Sequence, residues 1–264
     1  MTLLCRVARN VADLAAATIF YEALGFELCG LAANDPELAL VLGVEQAISL
    51  HLTLGAQLLE LTQCAPLGEP YPRDAKSDDL VFQHIAIVTR DIFEMQNHAL
   101  NAGATLISCD GPQQLAKEVG GAIAWKFRDP EGHPLEFLQP PDGAFGGGPL
   151  TSGYDHSAIC VADIARSVNF YSAFGLSFQH RHLNQGVTQA RLDGLATSTV
   201  EIVALVAAHA PPHVELLGYQ GVAPSYPIRP NDIAADRLVF SNSVHGLALR
   251  SDPDGHLLLL DGRD

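Results

Sequence analysis

The chain has 264 residues, of which 48% are hydrophobic and 17% are charged, and its mean hydropathy is +0.15. This composition provides enough apolar material for one large core or two smaller ones, and it argues against a mostly disordered chain. The formal net charge of −15 repels phosphate backbones and anionic lipids. It therefore excludes nucleic acid and membrane surfaces as favoured partners, whereas a small-molecule substrate remains compatible with it.

The amino-terminal segment lacks the apolar stretch of a signal peptide, and the five cysteines are scattered without a CxxC pair. We therefore expect a cytoplasmic protein whose cysteines are reduced.

An internal repeat organises the chain. The segments VARNVADLAAATIFYEALGFEL and ICVADIARSVNFYSAFGLSF share the order apolar strand, Val-Ala-Asp, apolar helix, Phe-Tyr, Gly and strand. Asp13 and Asp163 each precede a Phe-Tyr pair by seven residues and a Gly by twelve, and Asp91 keeps the spacing to Gly103 in a weaker third copy. An Asp at a strand-to-helix junction is a typical helix N-cap, and a Gly is typical just beyond a helix end.

The second half of each repeat is predicted to be strand hairpins, and an Asp-Pro-x-Gly turn recurs at 129–132 and 252–255. The distance from Phe82 to Asp129 is 47 residues, but the corresponding distance from Phe240 to Asp252 is only 12. The last module therefore lacks a helix and one strand. We predict four βαβββ modules, at residues 1–64, 80–140, 153–220 and 236–264.

These features resemble the vicinal oxygen chelate superfamily, which includes glyoxalase I, extradiol ring-cleaving dioxygenases and bleomycin-resistance proteins. The segments that carry the resemblance are VADLAAATIFYEALGF, VADIARSVNFYSAFGL, QHIAIVTRD and RDPEGHPLEF. The resemblance implies an α+β fold in which the tandem modules form two curved, open-sheet half-barrels around a cavity. It also implies a divalent metal held by residues on the first and last strand of each module.

The capping Asp residues provide the register by which the metal-ligand positions of the family can be located in this sequence. The first-strand position, seven residues before each Asp, falls on Arg6, His84 and His156, and an alignment of LVFSN with LVFQH places it on Asn242 in module four. The last-strand positions are Glu60, Glu136, Glu215 and Leu259.

The resemblance thus implies metal ligands among His84, Glu136, His156, Glu215 and Glu60, with Glu136 or Glu215 as catalytic base. Two imidazoles and two carboxylates suit Ni, Co, Zn, Mn or Fe as the divalent transition metal. The alternative without a metal is that each His is a hydrogen-bonded strand residue and that each Glu lies on a solvent-exposed strand face.

Module pairing decides which of these residues meet. Pairing of neighbours predicts glyoxalase-like domains at 1–145 and 150–264, each with an incomplete ligand set. The alternative pairs module two with three and module one with four, which brings the full set into one cavity. In the neighbour pairing, Arg6 is expected either to pair with Glu60 or to bind a substrate carboxylate.

Three function classes remain open. The first is a metal-dependent lyase or isomerase of glyoxalase type that acts on a small oxygen-rich metabolite, with an extradiol-type ring-cleaving dioxygenase as an alternative. The second is a metal-free protein that binds a small molecule or an antibiotic, and the third is a scaffold with decayed sites. A homodimer is compatible with each.

Other polar side chains carry weaker expectations. His133 and His256 follow the Asp-Pro-x-Gly turns and are expected to be turn or surface residues. Tyr21 and Tyr171 are expected to pack with a wet hydroxyl. His180 and His182 share one strand face, for which solvent is favoured over a polar pocket.

Overall fold

The structure, a computed structural model, describes residues 3–141, 149–207, 212–221, 226–241 and 245–263. Module one contains β1 (Leu4–Asn10), α1 (Leu14–Ala23), β2 (Glu27–Asn34), α2 (Pro36–Leu42), β3 (Gln46–Leu54) and β4 (Gln57–Ala65). Module two contains β5 (Gln83–Thr89), α3 (Ile92–Asn101), β6 (Thr105–Leu106), β7 (Gln113–Gln114), a 3₁₀ turn (Lys117–Val119), β8 (Ile123–Arg128) and β9 (Pro134–Gln139).

Module three contains β10 (Thr151–Cys160), α4 (Ile164–Ser172), β11 (Ser177–Gln185), α5 (Val187–Asp193), β12 (Thr199–Val206) and β13 (His213–Tyr219). Module four contains β14 (Arg237–Ser241), β15 (Leu247–Ser251) and β16 (Leu257–Asp261). The α+β class and the repeated modules are as predicted, and module four shows the expected shortening within its described residues. No helix in the described parts of the chain is long and apolar enough to cross a membrane.

The repeated Asp residues cap the helices as predicted. The Asp13 carboxylate accepts hydrogen bonds from two backbone N–H groups at the start of α1, and Asp91 does the same for α3. Asp163 accepts one such bond at the start of α4. The glycines twelve residues later have positive φ angles, for example 96° at Gly25, so each turn out of a helix uses a conformation that favours glycine.

The strands form two sheets, and each sheet combines two modules. One sheet has the order β15-β16-β14-β1-β4-β3-β2, and the other has the order β11-β12-β13-β10-β5-β9-β8-β6, with β7 beside β8. Antiparallel pairs β1/β14 and β5/β10 join module one to four and module two to three. This is the alternative pairing, and it differs from the neighbour pairing that underlies the predicted division at 1–145 and 150–264.

The first strand of each module explains why modules pair, although its open edge does not select the partner. That strand pairs in parallel with the last strand of its own module, as in β5/β9 and β10/β13, so its other edge needs a partner. The first strands of modules two and three pair with each other along this edge, and the first strands of modules one and four do the same.

The Asp-Pro-x-Gly turns connect neighbouring modules across the two sheets. His133 Nε2 lies 2.9 Å from the Asn10 carbonyl oxygen, and the Tyr21 hydroxyl donates to Asp129 at 3.0 Å. Modules three and four repeat the arrangement, with a 2.7 Å contact from His256 to the Cys160 carbonyl and a 3.0 Å bond from the Tyr171 hydroxyl to Asp252.

The expectation of surface histidines and wet tyrosine hydroxyls at these turns is therefore wrong. His133 and both tyrosines are fully buried, and His256 is 8% exposed. Each turn folds against the neighbouring module, so that its polar groups find partners out of reach of water.

The largest apolar core lies between the two sheets and includes side chains from α1, α3 and α4. Trp125, Phe127 and Phe137 pack together within it. Because successive strand residues point to opposite faces, the core residues Ile85 and Leu135 leave their neighbours His84 and Glu136 on the other face of the sheet. The predicted ligand positions thus lie on the face opposite to this core.

Candidate metal centre

Four adjacent strands bring the predicted ligands of modules two and three together. In the β5/β10 pair, His84 lies opposite Ala158 and His156 lies opposite Ala86. Glu215 on β13 lies beside Ala158, and Glu136 on β9 lies beside Ala86. The strand register therefore places all four predicted side chains on neighbouring positions of one face.

The side chains meet at short range. His84 Nε2 lies 2.8 Å from Glu136 Oε2, and His156 Nε2 lies 3.5 Å from Glu215 Oε2. The two imidazole ring centroids are 5.6 Å apart. One nitrogen or oxygen atom from each of His84, Glu136 and His156 lies within 4.8 Å of the others, a spacing that a single metal ion can bridge.

Several of these buried atoms lack hydrogen-bond partners among the described residues. Neither ring nitrogen of His84 has one, and neither does Nε2 of His156. The only close polar partner of His84 Nε2 among the described residues is Glu136, through the 2.8 Å ion-pair contact. Buried polar atoms are normally paired, so this arrangement requires a further partner, and a metal ion bound to lone pairs supplies one.

The imidazole rings of His84 and His156 differ in their pKa values. Burial lowers the pKa of His84 to about 4 against the opposing effect of Glu136, so this ring is neutral and its lone pair is available at neutral pH. Burial also acts to lower the pKa of His156, but Glu215 and Asp155 raise it to about 9. A metal would displace the His156 proton, because a ligand nitrogen must be deprotonated.

Both glutamates are ionised at neutral pH. Burial opposes ionisation of Glu215, but His156 and His213 bring its pKa down to about 2. Burial likewise opposes ionisation of Glu136, and Lys126 together with His84 keeps its pKa below the usual value. Glu136 is buried and Glu215 is partly buried, so a divalent cation bound near both would balance negative charge held away from bulk water.

Three of the four side chains, His84, Glu136 and Glu215, line a cavity of about 550 Å³, and His156 contacts Glu215 beside it. One part of its wall is aliphatic and comes from module two, with Leu115, Val119 and Leu138. Another part is polar and includes His180 and His182 of β11, which are both partly buried. The expectation that these two histidines face solvent is therefore wrong, because both line the cavity.

The sequence analysis did not single out three further polar residues of this cavity. Lys126 lies opposite Glu136 in the β8/β9 hairpin and forms a 2.8 Å ion pair with Asp193. His213 Nε2 lies 3.5 Å from Glu215 Oε1, and its position two residues before Glu215 on the same strand could have indicated this. Asp155 reaches the cavity through a strand irregularity that has no sequence signal.

The equivalent positions in the other sheet are occupied by different chemistry. Arg6 lies opposite Val239, and Ala8 lies opposite Arg237, which matches the register of His84 and His156 in the first sheet. The first-strand position of module four is therefore Arg237, and the assignment to Asn242, which lies outside the described residues, is wrong. The alignment of LVFSN with LVFQH gives a register that differs from the register of the β1/β14 strand pair.

In the other sheet, arginine side chains and their acidic partners occupy most of the positions that correspond to the candidate metal ligands. Arg6 forms ion pairs of 2.7 Å with Glu60 and 2.8 Å with Asp261. Glu60 also lies 3.4 Å from His51 Nε2, and Leu259 is fully buried. Arg6 and Glu60 thus lie in the other sheet from His84 and His156, and we do not include them in the metal centre proposed below.

Comparisons with known proteins agree with this architecture. A family model described as "Glyoxalase/Bleomycin resistance protein/Dioxygenase superfamily" matches residues 4–137. Glyoxalase I from Zea mays is similar in structure, with a TM-score of 0.65, 18% identity, and coverage of 98% of this chain and 92% of that one. A comparison with curated proteins found no match.

A candidate dioxygenase from Bacillus subtilis is also similar in structure, with a TM-score of 0.60 and 11% identity over 97% of this chain and 84% of that one. At these identities the likeness to both structures supports the fold alone.

Proposed function

Because the chain belongs to the Glyoxalase/Bleomycin resistance protein/Dioxygenase superfamily, we propose that modules two and three form a divalent-metal-dependent active site of glyoxalase type. The proposed activity is that of a lyase or isomerase acting on a small oxygen-rich metabolite. The observation that supports it is the cluster of His84, Glu136 and His156 within 4.8 Å, with unpartnered buried imidazole nitrogens, beside a cavity that Glu215 also lines.

The donor set suits Ni, Co, Zn, Mn or Fe, because imidazole nitrogen and carboxylate oxygen are ligands that these ions accept. When bound, such an ion would act as a Lewis acid towards vicinal substrate oxygens. His84 and His156 would hold it, together with one or both glutamates.

The glutamates are the candidates for proton transfer. Glu215 is the better placed of the two, because its side chain is 15% exposed to the cavity, compared with 7% for Glu136. It is ionised and can therefore accept a proton from a substrate carbon. The aliphatic side chains of Leu115, Val119 and Leu138 make that part of the cavity wall apolar.

Exchange of a carbon-bound hydrogen tests this proposal. A small α-hydroxyketone is incubated in D₂O with the metal-loaded protein, and NMR follows deuterium incorporation. We expect exchange that stops when a chelator removes the metal. In Glu215→Gln the exchange rate should fall by about 10²–10⁴-fold with metal content retained, because a general base contributes on that order.

The control for this experiment is Glu201→Gln. Glu201 lies on β12, where it pairs with Arg181 at 2.7 Å, and it does not line the cavity. The control should exchange at the wild-type rate. Equal exchange in loaded and chelated protein, or wild-type exchange in Glu215→Gln, contradicts the proposal.

A second candidate function is ring cleavage by oxygen. The three ligands that lie within 4.8 Å of one another are two histidines and one glutamate, which is the ligand type of non-haem Fe(II) oxygenases. Oxygen uptake by the Fe(II)-loaded protein with catechol, with no hydrogen exchange by the Ni(II)- or Co(II)-loaded protein, would favour this function. A third function, metal-free binding of a small molecule, has less support, because the buried ring nitrogens of His84 would then lack the further partner that a metal supplies.

A further inference from the structure

Strand β10 carries a β-bulge beside the candidate metal centre. Tyr154 lies opposite Ile87 and His156 lies opposite Ala86, so Asp155 is an extra residue without a partner on β5. In a regular strand, Asp155 and His156 would point to opposite faces. The bulge instead turns Asp155 towards the cavity, which it lines, and brings its carboxylate beside the His156 ring.

The Asp155 carboxylate contacts the far side of the His156 ring. Its Oδ2 atom lies 3.0 Å from His156 Nδ1, whereas Nε2 of the same ring faces Glu215. A second contact, at 3.8 Å, joins the same oxygen to Nδ1 of His213. One nitrogen of His156 therefore has a carboxylate partner, and the other is directed to the position where the candidate ligands converge.

His84 has no such arrangement among the described residues. Its Nδ1 atom has no hydrogen-bond partner, and the preceding residue, Gln83, donates instead to Ser157 at 3.2 Å. The two candidate histidine ligands are therefore unequal, and only His156 is fixed by a neighbouring carboxylate.

We propose that Asp155 is a positioning residue of the metal centre, which holds the proton of His156 on Nδ1 and leaves Nε2 free to bind the metal. This inference rests on the proposed metal site. Carboxylates that accept the second N–H of a histidine ligand fix its tautomer and ring orientation, and their loss typically lowers metal affinity by about 10–100-fold. Here a strand bulge delivers that carboxylate from the adjacent residue.

A metal-free measurement tests the tautomer directly. Long-range ¹H–¹⁵N NMR of the metal-free protein is recorded at a pH at which the His156 ring is neutral. The wild type should show His156 with its proton on Nδ1, and Asp155→Ala should shift the proton towards Nε2. An unchanged tautomer in Asp155→Ala overturns the inference, whatever the outcome of metal binding.

Metal titration provides the second test. Asp155→Ala should bind Ni²⁺ or Co²⁺ about 10–100-fold more weakly than the wild type. Asp155→Asn should recover much of the affinity, because its amide oxygen still accepts the Nδ1 proton. The matched control is Glu118→Ala, which removes an exposed carboxylate from the neighbouring 3₁₀ turn and should bind like the wild type.

Two results of the titration contradict the inference. The first is wild-type affinity in Asp155→Ala. The second is binding of two ions by the wild type with loss of one in Asp155→Ala, because Asp155, His156 and His213 would then hold a second cation themselves. If the wild type binds no metal, the proposed function fails, and the tautomer measurement alone decides the role of Asp155.

Discussion

A few residues distinguish the two halves of the molecule. In one half, two histidines and two glutamates occupy the four equivalent strand positions. In the other half, Arg6 and Arg237 take the histidine positions, and Leu259 takes one glutamate position. Because a guanidinium is always charged and donates hydrogen bonds only, it can balance a buried carboxylate but cannot bind a metal. The remaining Glu60 is therefore held by Arg6.

The carboxylate of Asp261 should make stability depend on acidic pH. Burial opposes its ionisation, but hydrogen bonds from Arg263 and Arg6 lower its pKa to about 2. A folded-state pKa below the unfolded value of roughly 4 stabilises the protein above that value, and the stabilisation is lost as the pH falls towards 2. We expect the free energy of unfolding to fall less steeply over this window in Asp261→Asn than in the wild type.

Urea unfolding at several pH values measures this difference. Glu45→Gln, at an exposed position, removes another carboxylate and should follow the wild-type profile. The same profile in Asp261→Asn and in the wild type would show that Asp261 does not contribute in this way.

The hydroxyl of Tyr21 should be more important for stability than that of Tyr171. It accepts a 2.8 Å hydrogen bond from the buried Arg9 and donates one to Asp129, whereas the hydroxyl of Tyr171 bonds to Asp252 alone among the described residues. Tyr21→Phe leaves a buried charged donor without a partner, so we expect a loss of about 1–3 kcal/mol in the free energy of unfolding. Chemical denaturation of both Phe variants measures this, and an equal or smaller loss at Tyr21 would contradict the expectation.

At the scale of elements, helix α2 covers the strand face of modules one and four that corresponds to the candidate metal centre of modules two and three. Leu38, Ala39 and Leu42 of this helix pack against Ala8, Val239 and Leu259, which occupy the face that carries the ligands in the other half. The corresponding helix of module three, α5, instead presents Gln189 and Leu192 to the cavity. In the described part of the chain, one face is thus covered by the apolar side chains of α2 beside the arginine side chains and their acidic partners, whereas the other face lines an accessible cavity.

Leu38→Ala tests this packing. Leu38 is 1% exposed, so its truncation should lower the free energy of unfolding by about 2–5 kcal/mol through the cavity that it leaves. Leu40 lies in the same helix and is 80% exposed, so Leu40→Ala should change stability by no more than about 0.5 kcal/mol. Comparable losses in the two variants would argue against the packing role of α2.

The elements could be predicted from sequence where the signal is local. The capping Asp residues and the glycines after the helices act within one turn, and strand alternation placed Glu136 and Glu215 correctly. The bulge at Asp155 has no comparable signal, because it is a mismatch with a partner strand. The register of Arg237 was also missed, since a three-residue identity between LVFSN and LVFQH is weaker evidence than a strand pairing with β1.

At the scale of the whole molecule, module pairing could not be predicted from local signals. The first strand of every module offers a similar open edge, so the choice depends on contacts between distant segments. The intact ligands in modules two and three gave a chemical indication of the pairing that the sheets show. The turns at His133 and His256 then link each module to its neighbour in the chain, so that all four modules form one connected structure.

The central claim is that one metal centre is shared between module two and module three. Metal analysis of the purified, loaded protein tests it most directly. We expect about one transition-metal ion per chain in the wild type and loss of that ion in both His84→Ala and His156→Ala, with wild-type content in His98→Ala, which changes an exposed histidine of α3. Absence of bound metal from the wild type, or loss in only one of the two variants, would contradict the claim.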